Sequence, residues 1–165
     1  MLKTKRLILK PYEDSDETAM IELLTNKTIK ESYIIPEFIT KADTVSYFKK
    51  LQRYSRDPHH YELGIYLQNE LIGFVNDVSI DEKIIEIGYV IHPNHHNKGY
   101  ATEMLTAVIN DLFQKDFQTI LTCAFEFNSA SFRVMEKCGM SRLNQTTDIL
   151  FHDKIYQCIY YSINA

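Results

Sequence analysis

The first 60 residues show one strand pattern followed by two helical patterns. Leu7 and Leu9 lie between charged residues, so segment 5–10 is predicted to be a strand that Pro11 ends. Acidic residues at 14–17 favour a helix start, and Thr40 is a second candidate cap. The apolar faces that follow are Ala19, Met20, Leu23 and Leu24 in the first helix and Val45, Phe48, Leu51 and Tyr54 in the second.

From Tyr61 the spacing becomes strand-like. It predicts three strands, over 61–67, 71–80 and 84–92. The short polar segments between them, 68–70 and 81–83, are typical of hairpin turns. The three strands should therefore pair in sequence as an antiparallel group.

The remainder alternates again between helix and strand. A loop at 93–99 leads into a helix whose apolar face is Met104, Leu105, Val108, Ile109 and Leu112. A buried strand at 119–124 follows, then a helix over 129–137 that Asn128 caps and Gly139 ends, then strands around 141–149 and 153–162. The predicted order, β-α-α-β-β-β-α-β-α-β-β, describes one α/β (α+β) domain over 1–165.

Composition narrows the class of protein. The net charge of −4 argues against nucleic acid as the main partner, and the basic residues at 3–10 are predicted to be the solvated face of the first strand. Cys123, Cys138 and Cys158 lack the spacing of a zinc site or a disulfide framework, which favours a reducing compartment. No apolar run approaches the roughly 18 residues of a membrane span. We expect a cytoplasmic protein.

Two histidine pairs, His59-His60 and His95-His96, raise the question of a metal site. Adjacent side chains on an extended segment point in opposite directions, so neither pair forms a chelate by itself. No third ligand stands at a motif spacing. We expect no metal.

The segment 86–103 carries the most chemistry. It predicts a strand that runs through a loop into a helix start, where unpaired backbone N–H groups and the positive end of the helix dipole suit a pyrophosphate. Gly99 and Ala101 are small enough to let the backbone approach phosphates closely. The lysine-serine/threonine ending of a nucleotide P-loop is missing.

Four ordered motifs make the chain resemble the GCN5-related N-acetyltransferase (GNAT) superfamily, in its RimJ/RimL-like ribosomal-protein acetyltransferase branch. They are a first strand like 4–11, a Gly-Tyr-x-x-x-Pro strand end at 88–93, a Lys-Gly-Tyr-Ala-Thr-Glu helix start at 98–103, and an Asn-x-x-Ser helix from 128 ending in Glu-Lys-x-Gly at 136–139. The similarity covers residues 4–163. It implies a mixed, mostly antiparallel sheet of about seven strands, splayed at the cofactor site, with about four helices.

The resemblance implies acetyl-CoA as cosubstrate and assigns residues to it. The backbone of Tyr89, Val90 and Ile91 is expected along the pantetheine arm, and Asn128 is expected to help hold coenzyme A. The pyrophosphate segment comprises His96, Asn97, Lys98, Gly99, Tyr100, Ala101 and Thr102. His96 replaces the usual Gln or Arg of the signature, and Asn97 replaces a frequent Gly, so the tightness of cofactor binding is open.

Acetyl transfer requires a neutral amine, a polarised thioester and groups that take up the two protons that the amine loses. Glu86 stands seven residues before Pro93, where relatives carry a proposed base; its alternative role is an exposed strand charge. Relatives place a proton-donating tyrosine where this chain has Met135, which leaves Ser131, another tyrosine, water or solvent to protonate the thiolate. Cys123 is predicted to be a buried apolar filler.

Three functions remain open from the sequence. The first is acetylation of a protein or peptide α-amine, the second acetylation of a small amine such as a polyamine, amino acid or antibiotic, and the third a non-catalytic acyl-CoA sensor. The expected partner is thus an amine acceptor, with no nucleic acid and no membrane, and a homodimer is one option. The acids proposed to attract a cationic acceptor are Glu31, Glu37, Asp148 and Asp153.

Overall fold

A computed structural model describes all residues from Met1 to Ala165. The eight strands are β1 Leu2–Lys3, β2 Leu7–Lys10, β3 Glu62–Leu67, β4 Glu70–Asp81, β5 Ile84–Ile91, β6 Thr119–Phe125, β7 Ser141–Phe151 and β8 Lys154–Asn164. The five helices are α1 Glu17–Thr25, α2 Lys27–Lys30, α3 Lys41–Tyr54, α4 Tyr100–Gln114 and α5 Ser129–Lys137. None of these helices combines the length and hydrophobicity that a membrane span requires.

The strands are hydrogen-bonded in the order β1-β2-β3-β4-β5-β6-β8-β7. The β5–β6 pair is parallel, whereas the β1–β2, β2–β3, β3–β4, β6–β8 and β7–β8 pairs are antiparallel. A parallel pair needs a long crossover, which α4 provides, while the antiparallel neighbours β3, β4 and β7, β8 are joined by short turns. The predicted mixed, mostly antiparallel α/β fold is confirmed.

Two details of the prediction differ from the structure. The strand predicted over 5–10 is β2, and an unpredicted short strand, β1, precedes it because Thr4 turns the chain: its N–H donates to the Leu7 carbonyl and its hydroxyl accepts from the Leu7 N–H, both at 2.9 Å. Leu2 then pairs with Leu9. The added β1 makes eight strands instead of seven, and the four-residue α2 makes five helices instead of four.

The chain divides into two compact units, Met1–Asp77 with Tyr89–Tyr100, and Val78–Gly88 with Ala101–Ala165. The first unit has a core of apolar side chains from α1, α3 and the first strands. Its members include Tyr12, Met20, Leu23, Leu24, Phe48, Leu51, Tyr66 and Phe74. The predicted cap of α3 is confirmed, because the Thr40 hydroxyl accepts from the Asp43 N–H at 3.2 Å and the Asp43 carboxylate accepts from the Thr40 N–H at 2.8 Å.

The second unit is built on the α4 helix and the β6, β8 and β7 strands. The buried residues of α4 are the five predicted from its spacing: Met104, Leu105, Val108, Ile109 and Leu112. The predicted cap of α5 is also confirmed, since the Asn128 side-chain oxygen accepts from the Ser131 N–H at 3.2 Å. Strands β7 and β8 are joined by a two-residue turn in which His152 and Asp153 both have positive φ, the conformation of a type I′ hairpin.

Candidate active site

In the first unit, β5 runs through a short loop into the start of α4, as the sequence predicts. Asn97 and Gly99 both adopt left-handed backbone conformations there, with φ of 59° and 79°. Because α4 begins at Tyr100, its first N–H groups have no acceptor within the helix. The loop thus presents backbone donors at the positive end of a fifteen-residue helix, an arrangement suited to a phosphate.

Two histidines hold this loop in shape. His92 is buried, and its ring accepts from the Asn94 N–H at 3.2 Å through Nδ1, while Nε2 lies 2.6 Å from a Glu22 oxygen on α1. These partners place the His92 proton on Nε2. His96, expected to replace the usual Gln or Arg, lies with its Nε2 2.7 Å from the Ile91 carbonyl oxygen. The ring of His96 therefore supports the loop backbone.

A cation that sequence reasoning assigned to a solvated strand face lies against the same loop. Arg6 is exposed, yet it donates through Nη1 to the Lys98 carbonyl at 2.9 Å, and its guanidinium lies 4.5 Å from the centre of the Tyr100 ring. Lysine provides neither a planar fork nor a stacking surface. One feature of the sequence could have indicated this contact: Arg6 is the single arginine among the basic residues at 3–10.

The end of β5 also approaches β4 closely. The backbone N–H of His92 donates to the Ile72 carbonyl at 2.7 Å, and a Cβ atom at Gly73 would lie 2.1 Å from the Val90 carbonyl oxygen. Only glycine fits there without displacement of the backbone. The side chains of Val90 and Ile91 are also buried. The backbone expected along the pantetheine arm is therefore held in place by its contacts with β4.

In the second unit, β5 carries the predicted base. Glu86 is half-buried, and burial raises the pKa of its carboxyl above the usual range. The Cys123 thiol donates to a Glu86 oxygen at 3.6 Å, and the Cys123 sulfur lies 2.9 Å from that of Cys158. The prediction that Cys123 is a buried apolar filler is wrong about its burial, because Cys123 is half-buried and its thiol contacts the carboxylate.

The second predicted catalytic residue lies on α5. Ser131 is half-buried one turn after the Asn128 cap, and Met135, where the resemblance leads one to expect a tyrosine, is 1% exposed. Methionine has no proton to donate. Asn128 has the expected capping role, and its contact with coenzyme A stays a prediction.

The histidines at 59 and 60 each contact a different carboxylate. His59 contacts Asp57 at 2.9 Å and His60 contacts Asp77 at 3.1 Å. No group of three histidine, cysteine or acidic side chains is arranged to hold a metal ion. The acids proposed to line an acceptor site, Glu31, Glu37, Asp148 and Asp153, are all exposed, and Glu37 forms an ion pair with Lys30 at 2.8 Å.

The first unit contains a buried carboxyl that was not predicted from the sequence. Glu62 on β3 is 5% exposed and accepts a hydrogen bond from the Tyr12 hydroxyl. Burial, with a smaller effect of the Asp77 charge, raises the pKa of Glu62 to about 8. The signal in the sequence was weak: a glutamate within the alternating strand predicted over 61–67.

The Glu62→Gln variant is expected to gain stability relative to the wild type as pH rises. In the unfolded chain this carboxyl ionises near pH 4.5, but in the fold it keeps its proton until about pH 8. Wild-type stability therefore falls across that window, whereas glutamine carries no charge. The relative gain should reach roughly 2 to 5 kcal/mol above pH 8, at about 1.4 kcal/mol per pKa unit.

Denaturant unfolding of both proteins at pH 5 and pH 9 measures this difference. The control is Glu82→Gln, since Glu82 is exposed in the β4–β5 turn and should show no such pH dependence. A Glu62→Gln difference that is the same at both pH values would mean that Glu62 is ionised throughout.

The sequence is similar to that of known acetyltransferases. Residues 6–141 match the family model described as "Acetyltransferase (GNAT) domain". Among curated proteins, the uncharacterized N-acetyltransferase YnaD of Bacillus subtilis is 32% identical over 146 residues, covering 86% of this chain and 82% of that protein. YoaA, another uncharacterized N-acetyltransferase of Bacillus subtilis, is 26% identical over 147 residues, 86% of this chain and 83% of its own length.

Solved structures have the same fold. An acetyltransferase of the GNAT family from Bacillus anthracis matches 99% of this chain and 97% of its own, with a TM-score of 0.84 and 27% identity. RimL, a ribosomal L7/L12 α-N-protein acetyltransferase solved with coenzyme A, has a TM-score of 0.84 at 18% identity, with 98% and 95% coverage. Spermidine N-acetyltransferase from Vibrio cholerae, solved with CoA and spermine, has a TM-score of 0.82 at 18% identity, with 96% and 95% coverage.

Proposed function

Because the chain belongs to the GNAT family of acetyl-CoA-dependent N-acetyltransferases, we propose that its acceptor is the α-amine of a protein or peptide N-terminus. The observation that carries this proposal is the half-buried Glu86, which lies on β5, the strand that leads into the loop before α4. We treat residues 1–165 as one acetyltransferase domain.

The cofactor assignments follow the family resemblance and the loop geometry. The pyrophosphate of acetyl-CoA would be held by the backbone N–H groups of 97–102, where Asn97 and Gly99 have positive φ. His96 and Arg6 would contribute by fixing the loop that carries these groups. The backbone of 89–91 would pair with the pantetheine arm, and Asn128 would add a contact from α5.

In the proposed reaction Glu86 takes a proton from the acceptor ammonium, directly or through water. The neutral nitrogen attacks the thioester carbonyl, the tetrahedral intermediate loses its second N–H proton to solvent, and its collapse breaks the C–S bond so that coenzyme A leaves as a thiolate. Met135 offers no proton for that thiolate, so we assign this role to Ser131 or to solvent. The products are the N-acetylated acceptor and coenzyme A.

The chemistry of the base favours an α-amine over a polyamine. The driving force for proton transfer to a general base improves as the pKa of the base comes closer to that of the group it deprotonates. An α-amino group has a pKa of about 7.7–8.0, whereas an alkylamine such as that of lysine has a pKa of about 10.4. Burial raises the pKa of Glu86 toward the first of these values. Moreover, the four acids that would attract a polycation are exposed, and Glu37 is already paired with Lys30.

A panel of acceptors tests this assignment. Thiol release from acetyl-CoA is measured with peptides that have a free N-terminus, with the same peptides blocked at the N-terminus but containing lysine, and with spermidine. Turnover is expected with the free N-terminal peptides and not with the blocked ones. Preferential turnover of spermidine would overturn the proposal in favour of a small-amine acetyltransferase. Tight coenzyme A binding with no turnover of any amine would indicate the sensor.

A further inference from the structure

The second unit contains a pair of thiols in unusually close contact. Cys123 on β6 and Cys158 on β8 lie on neighbouring antiparallel strands, and their sulfur atoms are 2.9 Å apart. Non-bonded carbon atoms pack at about 3.5–4.0 Å, and sulfur is larger than carbon. The two sulfurs are thus already inside that separation and within about 1 Å of the roughly 2.05 Å S–S bond length.

We propose that Cys123 and Cys158 form a reversible disulfide and so make a redox modification site in this protein. The strand register explains why such a bond would be reversible. Cys123 lies opposite Tyr160 and Cys158 lies opposite Phe125, so the two cysteines are diagonal neighbours. Diagonal residues have Cα atoms about 7–8 Å apart, beyond the usual disulfide range of about 4.4–6.8 Å. The bond therefore draws the strands together and is strained, and strained disulfides are the more easily reduced.

When the oxidant is a low-molecular-weight disulfide, the exposure of the two cysteines determines which of them reacts first. Cys123 is half-buried and meets the oxidant first, whereas Cys158 is 4% exposed. The Cys123 sulfur attacks the small disulfide and displaces one small thiol, which leaves a mixed disulfide. The Cys158 sulfur then attacks Cys123 and displaces the second. Two protein thiols and one small disulfide become one protein disulfide and two small thiols, so two electrons and two protons are transferred.

The modification would act on the proposed base, and this consequence rests on the proposed function. The Cys123 thiol donates a hydrogen bond to Glu86, which lowers the pKa of that carboxyl against the effect of burial. A disulfide has no S–H group, so oxidation removes this donor. The pKa of Glu86 then rises, and less of the base is ionised at neutral pH. The oxidised enzyme should be less active near pH 7 and recover activity as pH increases.

The third cysteine provides an internal control. Cys138 contacts the Thr106 hydroxyl and the Thr102 carbonyl, each at 3.5 Å, and the other two thiols have no contact with it. Cys138 therefore has no second thiol that could displace glutathione from a mixed disulfide, so reduced glutathione can return any adduct to the free thiol. Cys138 should therefore stay reduced while Cys123 and Cys158 are oxidised.

The test equilibrates the full chain with mixtures of oxidised and reduced glutathione, blocks the remaining thiols under denaturing conditions, and maps the peptides by mass without reduction. We expect one cross-link between Cys123 and Cys158 with Cys138 blocked. The Cys158→Ser variant should stop at a glutathione adduct on Cys123, and Cys138→Ser should behave as the wild type. Because Cys158 is buried, Cys123→Ser should give neither the cross-link nor an adduct on Cys158.

Blocked thiols at Cys123 and Cys158 in every mixture, or a glutathione adduct as the end product in the wild type, would overturn the proposal. This readout needs no acceptor, so it is independent of the assigned acetyl transfer. The second arm compares pH profiles of kcat/KM for the reduced and oxidised enzyme. An alkaline shift on oxidation that is absent in Cys123→Ser, which has no thiol to oxidise beside Glu86, supports the link to Glu86, and a cross-linked enzyme with an unchanged profile refutes that link.

Discussion

Replacing Glu86 by glutamine is expected to lower kcat/KM for an α-amine acceptor by about 10²–10⁴-fold at pH 7, the usual contribution of a general base. Glutamine has nearly the size of glutamate and still accepts the Cys123 hydrogen bond, so the half-buried site should keep its structure. What is lost is the ability to take a proton from the acceptor. Steady-state rates across pH 6 to 10 measure the effect.

The direction of the pH dependence follows from the two groups that must lose a proton. Wild-type activity should rise with pH as Glu86 ionises, and burial moves this rise above the usual carboxyl range because it raises the pKa of Glu86. An α-amine is itself largely neutral above its pKa of about 7.7–8.0. The variant should therefore approach the wild type at high pH, since a neutral acceptor no longer needs the base.

Glu82→Gln is the matched control for this experiment. Glu82 is an exposed glutamate in the turn before β5, so its substitution should leave the rate unchanged at every pH. A small loss for Glu86→Gln that is equal across the pH range would mean that Glu86 positions the acceptor or supports the strand. The base would then have to be sought elsewhere.

Local signals in the sequence predicted most of the fold. Thr40 and Asn128 were identifiable as caps because each accepts from an N–H group three residues ahead, so the whole interaction lies within one turn. The buried face of α4 follows from spacing alone. The turn at Gln68 and Asn69 is equally local, since both residues adopt the positive φ of a type I′ hairpin.

Contacts between distant segments were not predictable in the same way. Cys123 reaches Glu86 because β6 pairs in parallel with β5, and it reaches Cys158 because β8 pairs with the other side of β6. The spacing of these residues along the chain does not predict that strand register. The same holds for Arg6, whose contact with Lys98 joins positions 92 residues apart.

The buried position of Glu62 shows a different limit. Alternation in a strand indicates which residues share a face, but not whether a polar residue on the buried face has found a partner. Glu62 is stabilised by the hydroxyl of Tyr12, which lies 50 residues earlier in the chain. Until that partner is known, a glutamate in a strand is assigned to the solvent side, since unpaired acids are rarely buried.

Gly99 is the position at which a small change should most reduce cofactor binding. Its φ of 79° is a conformation that side chains rarely adopt, and a Cβ atom there would lie 3.4 Å from the Arg6 guanidinium. A β-branched residue should strain this conformation by about 1–3 kcal/mol. The loop is then expected to relax to another shape in the free protein, so that acetyl-CoA has to restore the binding conformation.

The Gly99→Val variant is accordingly expected to raise the Kd of coenzyme A about tenfold to a hundredfold, since each 1.4 kcal/mol is about a factor of ten. Isothermal titration with coenzyme A and with pantetheine, which lacks the pyrophosphate, measures the effect; only coenzyme A should lose affinity. Gly139→Val is the control, because Gly139 has a φ of 83° after α5 and its substitution imposes similar strain away from the loop. If Gly99→Val binds coenzyme A as the wild type does, or if Gly139→Val weakens binding equally, the phosphate does not bind at this loop.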